Sequence, residues 1–139
     1  MIEPSLAFQT ATRAALIASA DLAALVPERN IRAGAVRLAD LPSIIFSGAH
    51  TEYLGRASAS QHVARVSLEL HIWAVESGAD TAKAIGMAAL AALVEAPATD
   101  GFEIDEYAKP QTLWLRDPQP EASYTHGIVT LEAVLRWRV

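Results

Sequence analysis

Val63 to Val75, VARVSLELHIWAV, alternates without interruption along the chain. Ala64, Val66, Leu68, Leu70, Ile72 and Ala74 point one way. Val63, Arg65, Ser67, Glu69, His71 and Trp73 point the other. A period of two predicts one strand, apolar on one face and mostly polar on the other. Its thirteen residues, at about 3.3 Å each, span roughly 43 Å, against the usual strand of about 5–6 residues. In a small protein, so long a strand is expected to project beyond its own core and to invite a partner.

The same period returns at Tyr124–Val139, which reads as a second long strand. Val129, Leu131, Ala133, Leu135 and Trp137 make its apolar face. Ile128, Thr130, Glu132, Val134, Arg136 and Arg138 make the other. Elsewhere the pattern is helical or short. Pro4 and Ser5 open a helix over Leu6–Ala18, with Ser5 as its cap. Asp21 caps a short turn, Leu22–Val26, which Pro27 ends. Ile31–Val36 fits a short edge strand weakly. Ser43–Ser47 is a short apolar strand after Pro42, ended by Gly48. Thr51–His62, TEYLGRASASQH, is too small and polar for a core and reads as a mobile loop or loose hairpin tip. Ser77-Gly78-Ala79-Asp80 breaks the long strand and caps a helix over Thr81–Glu95, which Pro97 and Gly101 close. Phe102–Tyr107 and Thr112–Arg116 are two strand pieces interrupted by Pro110. Asp117–Ser123 is a proline-containing turn.

Helix, strands, helix, strands in that order, with short connections, predicts an α+β fold. The expected architecture is a mainly antiparallel sheet of about four strands with two alanine-rich helices packed on one face. The second face then carries Trp73, Ile128 and Val134 among charges, a mixed surface suited to subunit contacts.

At 139 residues the chain reads as a single domain, residues 1–139, able to bury a core of its own. A hydrophobic share of 52% with 19% charged residues argues against disorder. The net charge of −5 disfavours a nucleic-acid grip, which needs a basic surface to displace counterions. It suits a passage through which DNA slides without sticking. There is no cysteine, which excludes thiol catalysis, thiolate metal sites and a disulfide framework. No apolar run is long enough for a membrane span, and the start lacks the basic region of a signal peptide.

Candidate chemistry is sparse. His71 and His126 lie on the two long strands and, in the right register, become neighbours. With Glu69 they are a candidate zinc set, against the reading of ordinary histidines on a half-exposed face. No G-x-S-x-G turn and no glycine-rich phosphate loop is present. Asp100, Glu103, Asp105 and Glu106 form the densest acidic cluster. Such carboxylates can hold Mg²⁺ or Ca²⁺ or do acid–base work. They also fit a solvated strand face or an acidic wall that DNA does not stick to.

Several segments together resemble a family of tailed-phage proteins, the tail terminator or tail completion proteins. IEPSLAFQTATRAALIASADLAALVPERNI resembles the family's N-terminal helix and second turn, and LPSIIF its first clear strand. VSLELHIWAVESGADTAKAIGMAALAALVEAP resembles its central strand–helix unit. WLRDPQPEASYTHGIVTLEAVLRW resembles its closing hairpin. Gene transfer agents, domesticated phage-like particles, carry similar proteins. The resemblance covers nearly the whole chain, and Arg29–Leu41 departs from it in being rich in charge for a buried strand. It implies a structural virion protein with no catalytic residues and no cofactor or metal. It implies a homo-oligomeric ring, commonly a hexamer, assembled in the host cytoplasm and seated where tail meets head, without a membrane. Tail tube protein on one side and the head-side stopper or connector on the other would be its partners, with DNA passing through the lumen. A head-side stopper or adaptor is the neighbouring alternative. The expected subunit or tube contacts are Glu52, Tyr53, Arg56, Arg65, Glu69 and Trp73. The expected lumen-facing acids are Asp100, Glu103, Asp105 and Glu106.

Overall fold

The long alternating segment becomes the middle of a six-stranded sheet. The computed structural model describes residues 2–58, 60–75, 79–118 and 123–139. In chain order the elements are α1 (Pro4–Ile17), α2 (Ala20–Ala23), β1 (Ile31–Ala33), β2 (Ser43–Ser58), β3 (Gln61–Val75), α3 (Asp80–Leu93), β4 (Glu103–Tyr107), β5 (Gln111–Pro118) and β6 (Ser123–Arg138). Single 3₁₀ turns at Glu28–Asn30 and Leu38–Asp40 flank β1. The sheet order is β1-β2-β3-β6-β4, with β5 also on β6. No helix among the described residues is long and apolar enough to cross a membrane.

The α+β class holds, and the sheet is larger and more mixed than the sequence suggested. It has six strands, and β1 runs parallel to β2 through Ile31–Ala33 against Ile44–Phe46. All other pairings are antiparallel. The short edge strand read at Ile31–Val36 is present over Ile31–Ala33, and its parallel direction comes from the tertiary pairing. It also explains the charge of Arg29–Leu41: this is an exposed edge, with Ile31 alone turned fully into the core.

A second correction concerns Thr51–His62. It is not a mobile loop but the paired end of a hairpin: β2 runs on to Ser58, and β3 starts at Gln61. Gly48 does not end β2 but sits inside it at a register shift, at φ +62°, and Gly55 marks another at φ +113°. Glycine is the residue that takes such angles without strain, and each shift lets the long ribbon bulge and twist.

Helix ends also differ from expectation. Glu3, not Ser5, caps α1: its carboxylate accepts from the Leu6 N–H at 3.0 Å and from the Ser5 hydroxyl. Ser19, not Asp21, caps α2, accepting from Leu22 N–H at 3.2 Å. For α3, Ser77 and Gly78 lie outside the described residues, and the cap position is Ala79. Gln119 to Ala122 of the expected turn lie outside them too.

The core lies between the helices and one sheet face. Ala64, Val66, Leu68, Leu70, Ile72 and Ala74 of β3 are all buried there. Phe8, Leu16, Leu22, Ile85 and Leu93 reach them from the helices, each fully buried. Each such side chain contributes about 1.5–3 kcal/mol by leaving water. Trp114 of β5 slides into this layer because two glycines leave room. A Cβ on Gly127 would lie 2.5 Å from its ring, and one on Gly86 2.7 Å. Tyr107 ties β4 to the end of α3, its hydroxyl donating to the Leu93 carbonyl at 2.5 Å.

Candidate assembly surface

The helices cover one face of the sheet and leave the other open. Strand alternation decides what the open face carries: the odd positions of β3 and the even positions of β6. Their register sorts it into two halves.

The half nearer the β2–β3 turn is charged. Glu52 sits opposite Arg65, and the guanidinium reaches Glu52 at 3.1 Å and Glu132 of β6 at 3.6 Å. Arg136 draws β4 onto β6. It bonds Asp105 at 3.0 Å through Nε and also binds Glu103. The Asp105 hydrogen bond leads in pushing the Arg136 pKa above its ordinary value, with the charges of Asp105 and Glu103 adding to it. These pairs are solvent-screened and add little to stability.

The half nearer β5 is aromatic and apolar. His126 stacks on Trp73 with ring centroids 3.8 Å apart at 11°. Its Nε2 is 2.7 Å from Nδ1 of His71, whose Nε2 is 3.2 Å from Glu69. With both imidazoles neutral, His126 Nε2–H donates to His71 Nδ1, and His71 Nε2–H donates to Glu69. Ile128 and Leu113 continue the His71 row outward, and Leu115 the His126 row.

The structure brings Arg65, Glu69 and Trp73 onto one face, as the strand period required, and the β2–β3 pairing adds Glu52 opposite Arg65. Tyr53 and Arg56 are not with them. Tyr53 faces the helix side, its hydroxyl 2.7 Å from His62 Nδ1, and Arg56 pairs with His62 in the ladder. The four acids separate as well. Glu103 and Asp105 share Arg136, Glu106 is exposed on β4 without a salt bridge among the described residues, and Asp100 is exposed in the connection before it. The two histidines do meet, but both nitrogens of His71 are taken by His126 and Glu69. No cluster of three metal-binding side chains is found among the described residues.

Sequence reasoning missed the free strand edges and the residues on them, Leu54, Leu113 and Leu115, which are 42%, 59% and 42% exposed. The prolines at 110 and 118, which bracket β5, were the available signal.

The fold is similar to that of a chain solved in the virion of a native gene transfer agent particle. The likeness covers 93% of this chain and 95% of that one, at 19% identity and a TM-score of 0.70. No curated protein sequence matches the chain. The family model described as tail completion protein gp17 matches residues 10–136. On that match over nearly its whole length, the chain belongs to the tail completion protein gp17 family.

Proposed function

We propose that this chain is a structural virion protein of a phage-like particle, a ring that caps the tail tube, stops its growth and docks the tail to the head-side connector. DNA passes through the lumen without specific binding. The observation that carries the reading is the family match over residues 10–136. The fold shared with a gene transfer agent virion chain over 93% of the length supports it. A sheet with one open, mixed face and long unpaired edges fits a protein that works by contact.

Deleting the gene in its host and imaging particles by negative-stain microscopy tests this. Overlong tails, or finished tails detached from filled heads, are expected. Normal-length free tails beside heads that have leaked their DNA would assign the chain to the stopper or adaptor instead. Intact particles would overturn both.

A further inference from the structure

The strands are not held equally, and β5 is held least. Of its described side chains, Gln111, Thr112, Leu113, Leu115 and Arg116 are exposed, and Trp114 alone turns into the core. Its backbone pairs with β6 and with no other strand among the described residues. Other edge stretches have further ties. β4 is fixed by the Tyr107 hydroxyl on the Leu93 carbonyl and by Arg136 on Glu103 and Asp105. β1 is fixed by buried Ile31 and by Arg13 donating to the Ile31 carbonyl. The outer half of β2 is fixed by Thr51 donating to Glu3, by the Glu52–Arg65 pair and by Tyr53 on His62. The tie of β5 is a fitted ring. Trp114 lies in a slot between α3 and β6 that exists because Gly86 and Gly127 carry no side chain, with Ile72 beside it. Both ends of the strand leave from firm points. Before it, the Ala108 N–H donates to the Glu132 carbonyl at 2.9 Å, and after it β6 is paired with β3 from Tyr124 onward.

We propose that β5 is a strap that opens as one unit while the rest of the sheet stays folded, with Trp114 as its latch. An element opens alone when few buried apolar side chains hold it and its hydrogen bonds lie near solvent. β5 has one such side chain among those described, and a ladder on one side only. Ladder bonds at an exposed edge are exchanged for bonds to water at small net cost. Leu113 and Leu115, 59% and 42% exposed, already stand in water and oppose opening little. Trp114 sits mid-strand opposite Gly127, so its release frees both flanks together. Opening bares two things at once: the slot between Gly86 and Gly127, and the β6 edge from Ser123 to Thr130. The strap thereby switches one part of the sheet between covered and bare. This property belongs to the fold and stands apart from the ring reading.

Amide exchange of the purified protein, resolved by residue with NMR, tests this. The β5 amides bonded to β6 and the β6 amides bonded to β5 are expected to share one opening constant. It should exceed that of the β3–β6 ladder by about tenfold or more. Opening no greater than that of the β3–β6 ladder would overturn the proposal. So would opening constants that grade from the strand ends inward, which is fraying and not a unit. Gly127→Ala tests the latch, because its Cβ would lie 2.5 Å from the Trp114 ring. In this variant β5 exchange is expected to rise roughly a hundredfold, as for loss of a large buried side chain, with the β3–β6 ladder still protected. β5 exchange left unchanged by the substitution would overturn the proposal. Should that variant not fold, a disulfide between Leu113→Cys and Ile128→Cys, opposite each other on β5 and β6 in this cysteine-free chain, pins the strap shut. It is expected to slow β5 exchange to the β3 level. No slowing would mean that these amides exchange without the strap leaving, against the proposal.

Discussion

Tyr107 shows how one side chain carries both packing and a pH signature. Its ring stands edge-on to Phe8, centroids 6.5 Å apart, and its hydroxyl closes the end of α3 on the Leu93 carbonyl. Burial pushes the phenol up from 10.0 to about 12. The folded state therefore holds this proton more tightly than the unfolded one. Below pH 10 both states are protonated and the contribution is complete; it is lost as pH rises from 10 through about 12. Tyr107→Phe is expected to cost about 0.5–1.5 kcal/mol at neutral pH, the net value of one hydrogen bond. Between pH 10 and 12 the wild-type melting temperature should fall faster than the variant's, so that the two converge. Thermal melts by circular dichroism read both, and parallel curves would contradict the burial argument. Glu3 has the opposite sign. Burial pushes its carboxyl up, but hydrogen bonds from Ser5, Thr51 and backbone N–H groups outweigh that and hold it below its ordinary value. Its support for α1 and β2 is present at neutral pH and is lost in acid.

Among the elements, β3 and β6 were legible in the sequence and β2 only in part, for one reason. Alternation is written where one face is packed and the other is not. β3 and β6 lie under the helices and across from each other over their full length, from Gln61↔Arg138 to Val75↔Tyr124. β2 past Phe46 is exposed on both faces, so nothing constrains its residues to a period of two, and TEYLGRAS reads like a loop. Its strand character comes from β3, whose backbone pairs with it across two glycine-permitted bulges. β1 was legible as a short edge strand but not its parallel direction, because a pairing of three residues depends on the partner alone. The same logic governs the site. Arg65, Glu69 and Trp73 follow from period two, whereas Glu52 needed the β2–β3 register, and the His126–Trp73 stack and the Arg136–Asp105 pair the β3–β6 and β4–β6 registers. Amide exchange should reproduce this hierarchy. β3, hydrogen-bonded on both sides, is expected to exchange slowest. Outward amides of β4, β5 and His50–Ser58 should exchange early in the free protein. Exchange there as slow as in β3 would contradict the single-sided pairing.

For the whole molecule, charge is the quantity that decides how it treats DNA. Cations number 11 against 16 acids. Several of the cations are already committed within the chain. Arg13 donates to the Ile31 and Glu28 carbonyls, Arg65 reaches Glu52 and Glu132, and Arg136 is held by Glu103 and Asp105. Non-specific DNA binding draws its free energy from Lys and Arg neutralising phosphates and releasing counterions, and typically gives a Kd of about 10⁻⁴–10⁻⁶ M at physiological salt. Three arginines, Arg29, Arg32 and Arg37, stand around β1, and Arg32 donates to the Ala33 and Ala35 carbonyls. The purified protein is therefore expected to bind duplex DNA more weakly than about 10⁻⁴ M at physiological salt, read by filter binding or fluorescence anisotropy. Micromolar binding that disappears in Arg29→Ala, Arg32→Ala, Arg37→Ala protein would mean that this patch is available to phosphate.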